Sequence, residues 1–234
     1  MNKLLIMAFA GMLSVPANSQ ENEKIEGNGK MVTKNISVKS FNNLKASGVF
    51  ELHLVQGETE SVKVEADENL HALFIIKNEG NDLVIEMDKK KNLNLKSKNR
   101  LKVYVNFKNL QSINLSTVGN VKSDKLMRFN DLTLQCNSVG NIDLRLNANT
   151  LKINNNSVGN VSLSGEAKTA VIKSSGVGSL EANGLIVQDM DIENSGVGSA
   201  EVNVVRELKV KDSFLGKVKN NGKAPMKKMN NVTS

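Results

Sequence analysis

Asn137-Ser-Val-Gly-Asn141, repeated as Asn156-Ser-Val-Gly-Asn160, is the stretch whose reading decides the fold of this chain. Variants of it stand at Ser116-Thr-Val-Gly-Asn120, Ser175-Gly-Val-Gly-Ser179, Ser195-Gly-Val-Gly-Ser199 and Ser213-Phe-Leu-Gly-Lys217. The shared glycines, Gly119, Gly140, Gly159, Gly178, Gly198 and Gly216, are 21, 19, 19, 20 and 18 residues apart. A period near twenty is the mark of a solenoid, in which each repeat is one coil that can bury its apolar side only against its neighbours.

Aligning the repeats on these structural glycines separates the columns. Six residues before the glycine stand Ile113, Leu134, Ile153, Ile172, Ile192 and Val210. One before it stand Val118, Val139, Val158, Val177, Val197 and Leu215. Two after it stand Val121, Ile142, Val161, Leu180, Ala200 and Val218, and four after it Leu144, Leu163, Ala182 and Val202. Apolar residues alternating with polar neighbours are the period-two signature of half-buried strands, so these columns are the expected core. Glycine between two apolar columns reads as a corner, since it alone adopts positive φ without a Cβ clash. The expected fold is all-β, a right-handed parallel β-helix of about 19–20 residues per coil over residues 111–222, with handedness taken from parallel crossovers. The column after the glycine, Asn120, Asn141, Asn160, Ser179 and Ser199, is expected to hydrogen-bond along the stack as amide ladders do.

The rest of the chain divides around this block. Residues 1–19 carry Lys3, an apolar run from Leu4 to Val15 and the small-x-small Ala17-Asn18-Ser19, which together read as a secretory signal peptide. Residues 20–31 are expected to be a flexible mature N-terminus. Residues 32–110 form an N-terminal β region, with strands expected at Val32–Val38, Val49–Val55, Ser61–Ala66, Phe74–Lys77, Leu83–Met87 and Leu101–Phe107. The basic run from Lys89 to Arg100 reads as an exposed loop. Residues 223–234 are either a basic edge strand or a tail.

Removal of Lys3 with the signal peptide takes the formal net charge from +7 to +6. Export argues against nucleic acid as a partner, and no later apolar run is long enough for a transmembrane segment. The expected partner is an envelope or surface component, an anionic glycan or a protein. Cys136 is the single cysteine, so no intramolecular disulfide forms, and with no nearby Cys or His it reads as a small residue beside a corner. No cofactor or metal is expected, because Ser-Gly-Val-Gly-Ser lacks the acid of a calcium-binding coil and no lysine or helix follows it to hold phosphate.

The run Ala46-Ser-Gly-Val-Phe-Glu-Leu-His-Leu-Val-Gln-Gly57, followed by Val62-Lys-Val-Glu-Ala-Asp-Glu-Asn-Leu70, resembles the opening of the auto-transporter adhesin head domains called GIN domains. The later glycine phrases resemble that family's repeated segment, and the likeness runs from Ile36 to the C-terminus. It implies an exported, β-helix-like protein of the bacterial cell envelope with adhesion as its role. Gly222-Lys-Ala-Pro225 departs from the family's terminal Gly-x-Pro by one residue.

Parallel β-helices also carry polysaccharide lyases and hydrolases, so a glycan-active enzyme is the competing reading. Glu181 and Glu201, each three residues after a repeat glycine, are the acid pair expected on adjacent coils, at the separation a retaining glycosidase uses. Asp143, Ser162 and Lys219 share that column, and the chain has no Trp and one Tyr to line sugar subsites. His53, between Leu52 and Leu54, and His71 read as surface residues without a nucleophile partner. The chain is therefore expected not to be an enzyme.

Overall fold

A computed structural model describes residues 25–88 and 100–229. The expected signal peptide, the basic run at 89–99 and the last five residues lie outside them. The repeats form a parallel β-solenoid. β8 (Ser112–Val118) and β9 (Val121–Ser123) make two sides of one coil, and β10 (Met127–Cys136) supplies its third side and the first side of the next. β11 (Ile142–Asn155), β12 (Val161–Ser174), β13 (Leu180–Asn194) and β14 (Ala200–Asp212) then each run through three sides in succession.

Register between coils is parallel and follows the repeat spacing. Leu134 pairs with Ile113 and Ile153, Ile153 with Ile172, Ile172 with Ile192 and Ile192 with Val210. All are buried, as are the columns two and four residues after the glycine. The interior is thus a set of aliphatic files running along the solenoid axis. Each fully buried member contributes about 1.5–3 kcal/mol gross, and none could be enclosed by its own coil.

The column one residue before the glycine breaks the expectation. Val118, Val139, Val158, Val177 and Val197 point outward, each 49–51% exposed. Parity explains it: the inward set ends two residues before the glycine, at Thr117, Ser138 and Ser157, so the next residue must face solvent. Those hydroxyl residues fit inside the corner because their oxygens accept from the previous coil. Ser138 Oγ takes the Thr117 N–H at 3.2 Å, and Ser157 Oγ takes the Ser138 N–H at 3.2 Å.

Glycine is required at the corner for two reasons. Gly119, Gly140, Gly159, Gly178 and Gly198 have φ between 130° and 143°. A Cβ on Gly159 would also stand 2.3 Å from the Gly140 carbonyl oxygen of the coil below. Gly216 differs, because it is not among the positive-φ glycines.

The solenoid begins earlier than the glycine phrases. β2 (Asn43–Val49) and β3 (Glu51–Gln56) pair in parallel with β8 and β9, and Phe50 occupies the corner where later coils have glycine. β2 is absent from the strands expected from sequence, although Ser47-Gly-Val49 echoes the later Ser-Gly-Val phrases. Beyond this coil, β6 (Asp82–Met87) pairs with β2 and β7 (Lys102–Phe107) with β3. Antiparallel neighbours then close this end: β5 (Phe74–Glu79) on β6, and β4 (Ser61–Asp67) with β1 (Met31–Ser37) on β7. At the other end, β15 (Val218–Asn220) and β16 (Met226–Lys228) add short parallel rungs to β14. The Asn220 amide bonds to Val204 and Ala224 there, tying the last turn to the stack.

Candidate binding surfaces

Two outward ladders meet along one corner of the solenoid. Val118, Val139, Val158, Val177 and Val197 bridge one another in register, so their side chains form a continuous ridge. Leu215 and Phe214 extend it, 60% and 87% exposed. Beside the ridge runs a row of glycines, and beyond that the expected amide ladder. Asn120 Oδ1 accepts the Asn141 N–H, Asn141 Oδ1 the Asn160 N–H, and Asn160 Oδ1 the Ser179 N–H, each at 3.1 Å. From Ser116 to Ser199 this strip of small, apolar and amide residues carries no charge, in a chain that is 24% charged.

Charge is concentrated elsewhere. On the last coils, Lys211 meets Glu193 at 2.8 Å, Lys209 meets Asp191 at 3.7 Å, and Arg206 pairs with Asp189. The Arg206 guanidinium, by its hydrogen bond, holds the Asp189 carboxyl below its ordinary range. These pairs are exposed and contribute at most about 1 kcal/mol each.

A polar cluster on strands β3, β4, β7 and β9 corrects the expectation for His53. The residue does face outward, but it is only 5% exposed because Tyr104 stacks over it at 4.3 Å between ring centroids. His53 Nε2 stands 2.8 Å from Glu51 and Nδ1 3.7 Å from Asp124, and neither contact has hydrogen-bond geometry. Burial alone would raise the Glu51 carboxyl, but Lys122 at 3.1 Å, aided by His53, draws it below its usual value. Lys63 sits 3.8 Å over the Tyr104 ring and pairs with Glu65 at 2.8 Å. His71 is likewise buried rather than superficial, with Nε2 2.9 Å from the Val32 carbonyl oxygen. Alternation along a strand gives the facing of a residue but not what covers it from the next element, and that is why both histidines were misread.

Glu181 and Glu201 are register partners on adjacent coils. Each is engaged by the scaffold: Glu181 accepts from Asn160 Nδ2 at 3.3 Å and Ser162 Oγ at 3.1 Å, and Glu201 accepts from Asn221 Nδ2 at 3.3 Å and meets Lys219 at 3.7 Å. The recess above them, about 260 Å³, is lined by serine, asparagine, leucine and the two acids, with no aromatic wall. Cys136 is fully enclosed in the file between Leu115 and Asn155, and burial pushes its thiol up to about 12. Among the described residues, no cluster of His, Cys, Asp and Glu could hold a metal ion, and no helix is long and apolar enough to cross a membrane.

The sequence pattern of the family described as "Putative auto-transporter adhesin, head GIN domain" matches residues 40–224. The chain belongs to this GIN-domain family. Among solved structures, a "putative adhesin" from Bacteroides fragilis is similar at 25% identity and a TM-score of 0.73, over 88% of this chain and 100% of that one. A "putative lipid binding protein" from Parabacteroides distasonis shares the fold at 20% identity and a TM-score of 0.58, over 89% and 100% of the two chains. A "putative adhesin" from the same organism does so at 21% and 0.52, over 88% and 100%. Among curated proteins, none matches. The GIN-domain match covers the first coil, β2 and β3, as well as the glycine-phrased repeats.

Proposed function

We propose that this GIN-domain protein is an exported, non-catalytic β-solenoid of the cell envelope or surface, and that it works as a binding or adhesion scaffold. The observation that carries the reading is the uncharged valine edge. Apolar side chains half exposed in single file over five coils are unusual on a soluble surface, and exposed apolar stretches with polar borders mark interaction sites. The edge is also rigid, since a positive-φ glycine corner sets each rung and amide hydrogen bonds tie Asn120, Asn141, Asn160 and Ser179 together, so a partner would meet a preorganised surface. Family membership and adhesin-named neighbours point the same way.

The competing enzymatic reading rests on the Glu181–Glu201 register alone, and the hydrogen bonds each acid makes give it a structural role. The test joins two arms. A triple variant, Val139→Ser, Val158→Ser and Val177→Ser, should keep its melting temperature yet lose attachment to immobilised envelope components, and the wild-type chain should release no product from a panel of polysaccharides. Product release that disappears in Glu181→Gln would overturn the scaffold reading.

A further inference from the structure

A groove runs along a different corner, between the third side of each coil and the first side of the next. Two recesses of about 590 and 530 Å³ meet at Arg128 and Phe129, which line both. Arg128, Asn147, Glu166 and Ile186 are register partners along one wall. Asn149, Lys168 and Gln188 line the other, and the small side chains of Ala148 and Ala167 leave the floor low between them. Nothing in the valine edge or the acid pair accounts for this feature.

We infer that the groove is a binding site for an extended, uncharged oligosaccharide; this rests on reading the protein as a non-catalytic scaffold and names one partner class for it. Three observations carry it. First, five of its polar side chains are unused, while Asn130, Asp131, Asn147 and Asn149 bond within the scaffold. Among the described residues, the side chains of Asn42, Gln111, Gln188, Arg128 and Lys168 make no hydrogen bond or ion pair within the protein, although all line the recesses. Amides that both donate and accept suit hydroxyl groups, which do the same.

Second, the formal charges balance. Arg128 and Lys168 are offset by Glu166 and Asp131, so the groove has no field to select an anionic chain. The anionic glycan expected from the overall basic charge is therefore not the class this site fits. Third, Ile186, 44% exposed, gives the polar wall one apolar step, above the buried Phe129, Ala148 and Ala167. Hydrogen bonds from these side chains to sugar hydroxyls, rather than stacking on an aromatic wall, would hold the chain, with Ile186 against the C–H face of one ring. The coils repeat at about 4.8 Å, close to the advance of one sugar in an extended chain, so successive sugars would meet equivalent rungs. An extended peptide is the poorer occupant, because it binds sheets by pairing with a free backbone edge, and the rungs under the groove are already paired on both sides.

The experiment is calorimetric titration of the full-length chain with cellohexaose and xylohexaose, alongside hexagalacturonate and an uncharged hexapeptide. Arg128→Ala and Gln188→Ala, both at exposed positions, are compared with Lys34→Ala, an exposed site on β1 away from both the groove and the valine edge, with melting temperatures checked for all three. The expected result is binding of a neutral hexaose, weakened roughly three- to ten-fold by each groove variant and unchanged by the control. Preference for hexagalacturonate or the peptide, absence of neutral binding, or neutral binding untouched by both groove variants would overturn the assignment. Cleavage of the hexaose would instead sink the scaffold reading. Loss of the groove result with valine-dependent attachment intact would leave that reading standing.

Discussion

Replacing Gly159 by alanine tests the corner more sharply than any larger change, because it adds a single carbon. Gly159 has φ of +132°, and its new Cβ would lie 2.3 Å from the Gly140 carbonyl oxygen and 2.8 Å from that carbonyl carbon. Both atoms are backbone, so relief requires the two coils to separate or the corner to change conformation. The backbone strain alone is of order 1–3 kcal/mol. Parting one rung also weakens its neighbours, including the Gly159 N–H bond to the Val177 carbonyl at 2.9 Å, at about 1 kcal/mol each. A total near 3 kcal/mol corresponds to a fall of roughly 6–12 °C in melting temperature for a chain of this size. Gly57→Ala is the matched control, since nothing lies within 4 Å of the added carbon and its φ is not in the positive range. Thermal unfolding followed by circular dichroism should show a large drop for Gly159→Ala and almost none for Gly57→Ala. Equal melting temperatures for the two variants would refute the corner geometry.

Three further outcomes follow from single sites. Cys136, enclosed in the core with its thiol raised to about 12, should resist a thiol reagent such as DTNB at neutral pH and react fully once denaturant is added; rapid labelling of the native chain would contradict its placement. Glu51 has a folded-state pKa below the ordinary 4.5, so its contribution is present above that value and is lost as pH falls through the lower folded value. Lys122→Ala should therefore flatten the loss of stability on acidification below about pH 4.5, measured by melting temperature against pH, and an unchanged profile would remove Lys122 as the cause. Lys217→Ala, at an exposed position on the last turn, should leave the melting temperature within error of the parent chain.

The spacing of the glycines and the inward files Ile113 to Val210 were legible because burial on a strand is periodic and the period survives in sequence. The amide ladder from Asn120 to Ser179 was legible for the same reason. What was missed depends on contacts between elements. The valine column reads as core by composition, and only the parity of Ser138 and Ser157, small polar residues taken inside by interior hydrogen bonds, shows that it faces out. β2 lacked a repeat glycine because Phe50 fills that corner. His53 and His71 are buried by Tyr104 and by β1, partners far away in sequence. The groove is formed by side chains from several coils, and no local motif encodes it.

The central claim is that the glycine-phrased segments lie one upon another in parallel register. It can be measured directly with spin labels on an outward row that the register places in line, Asn114, Gln135, Asn154, Lys173, Glu193 and Lys211. In a Cys136→Ser background, paired labels at Asn114 and Lys173 should give a backbone separation of about 14 Å, and at Asn114 and Lys211 about 24 Å, one strand spacing of ~4.8 Å per coil. Separations that fail to grow in proportion to the number of coils crossed would contradict the stacking.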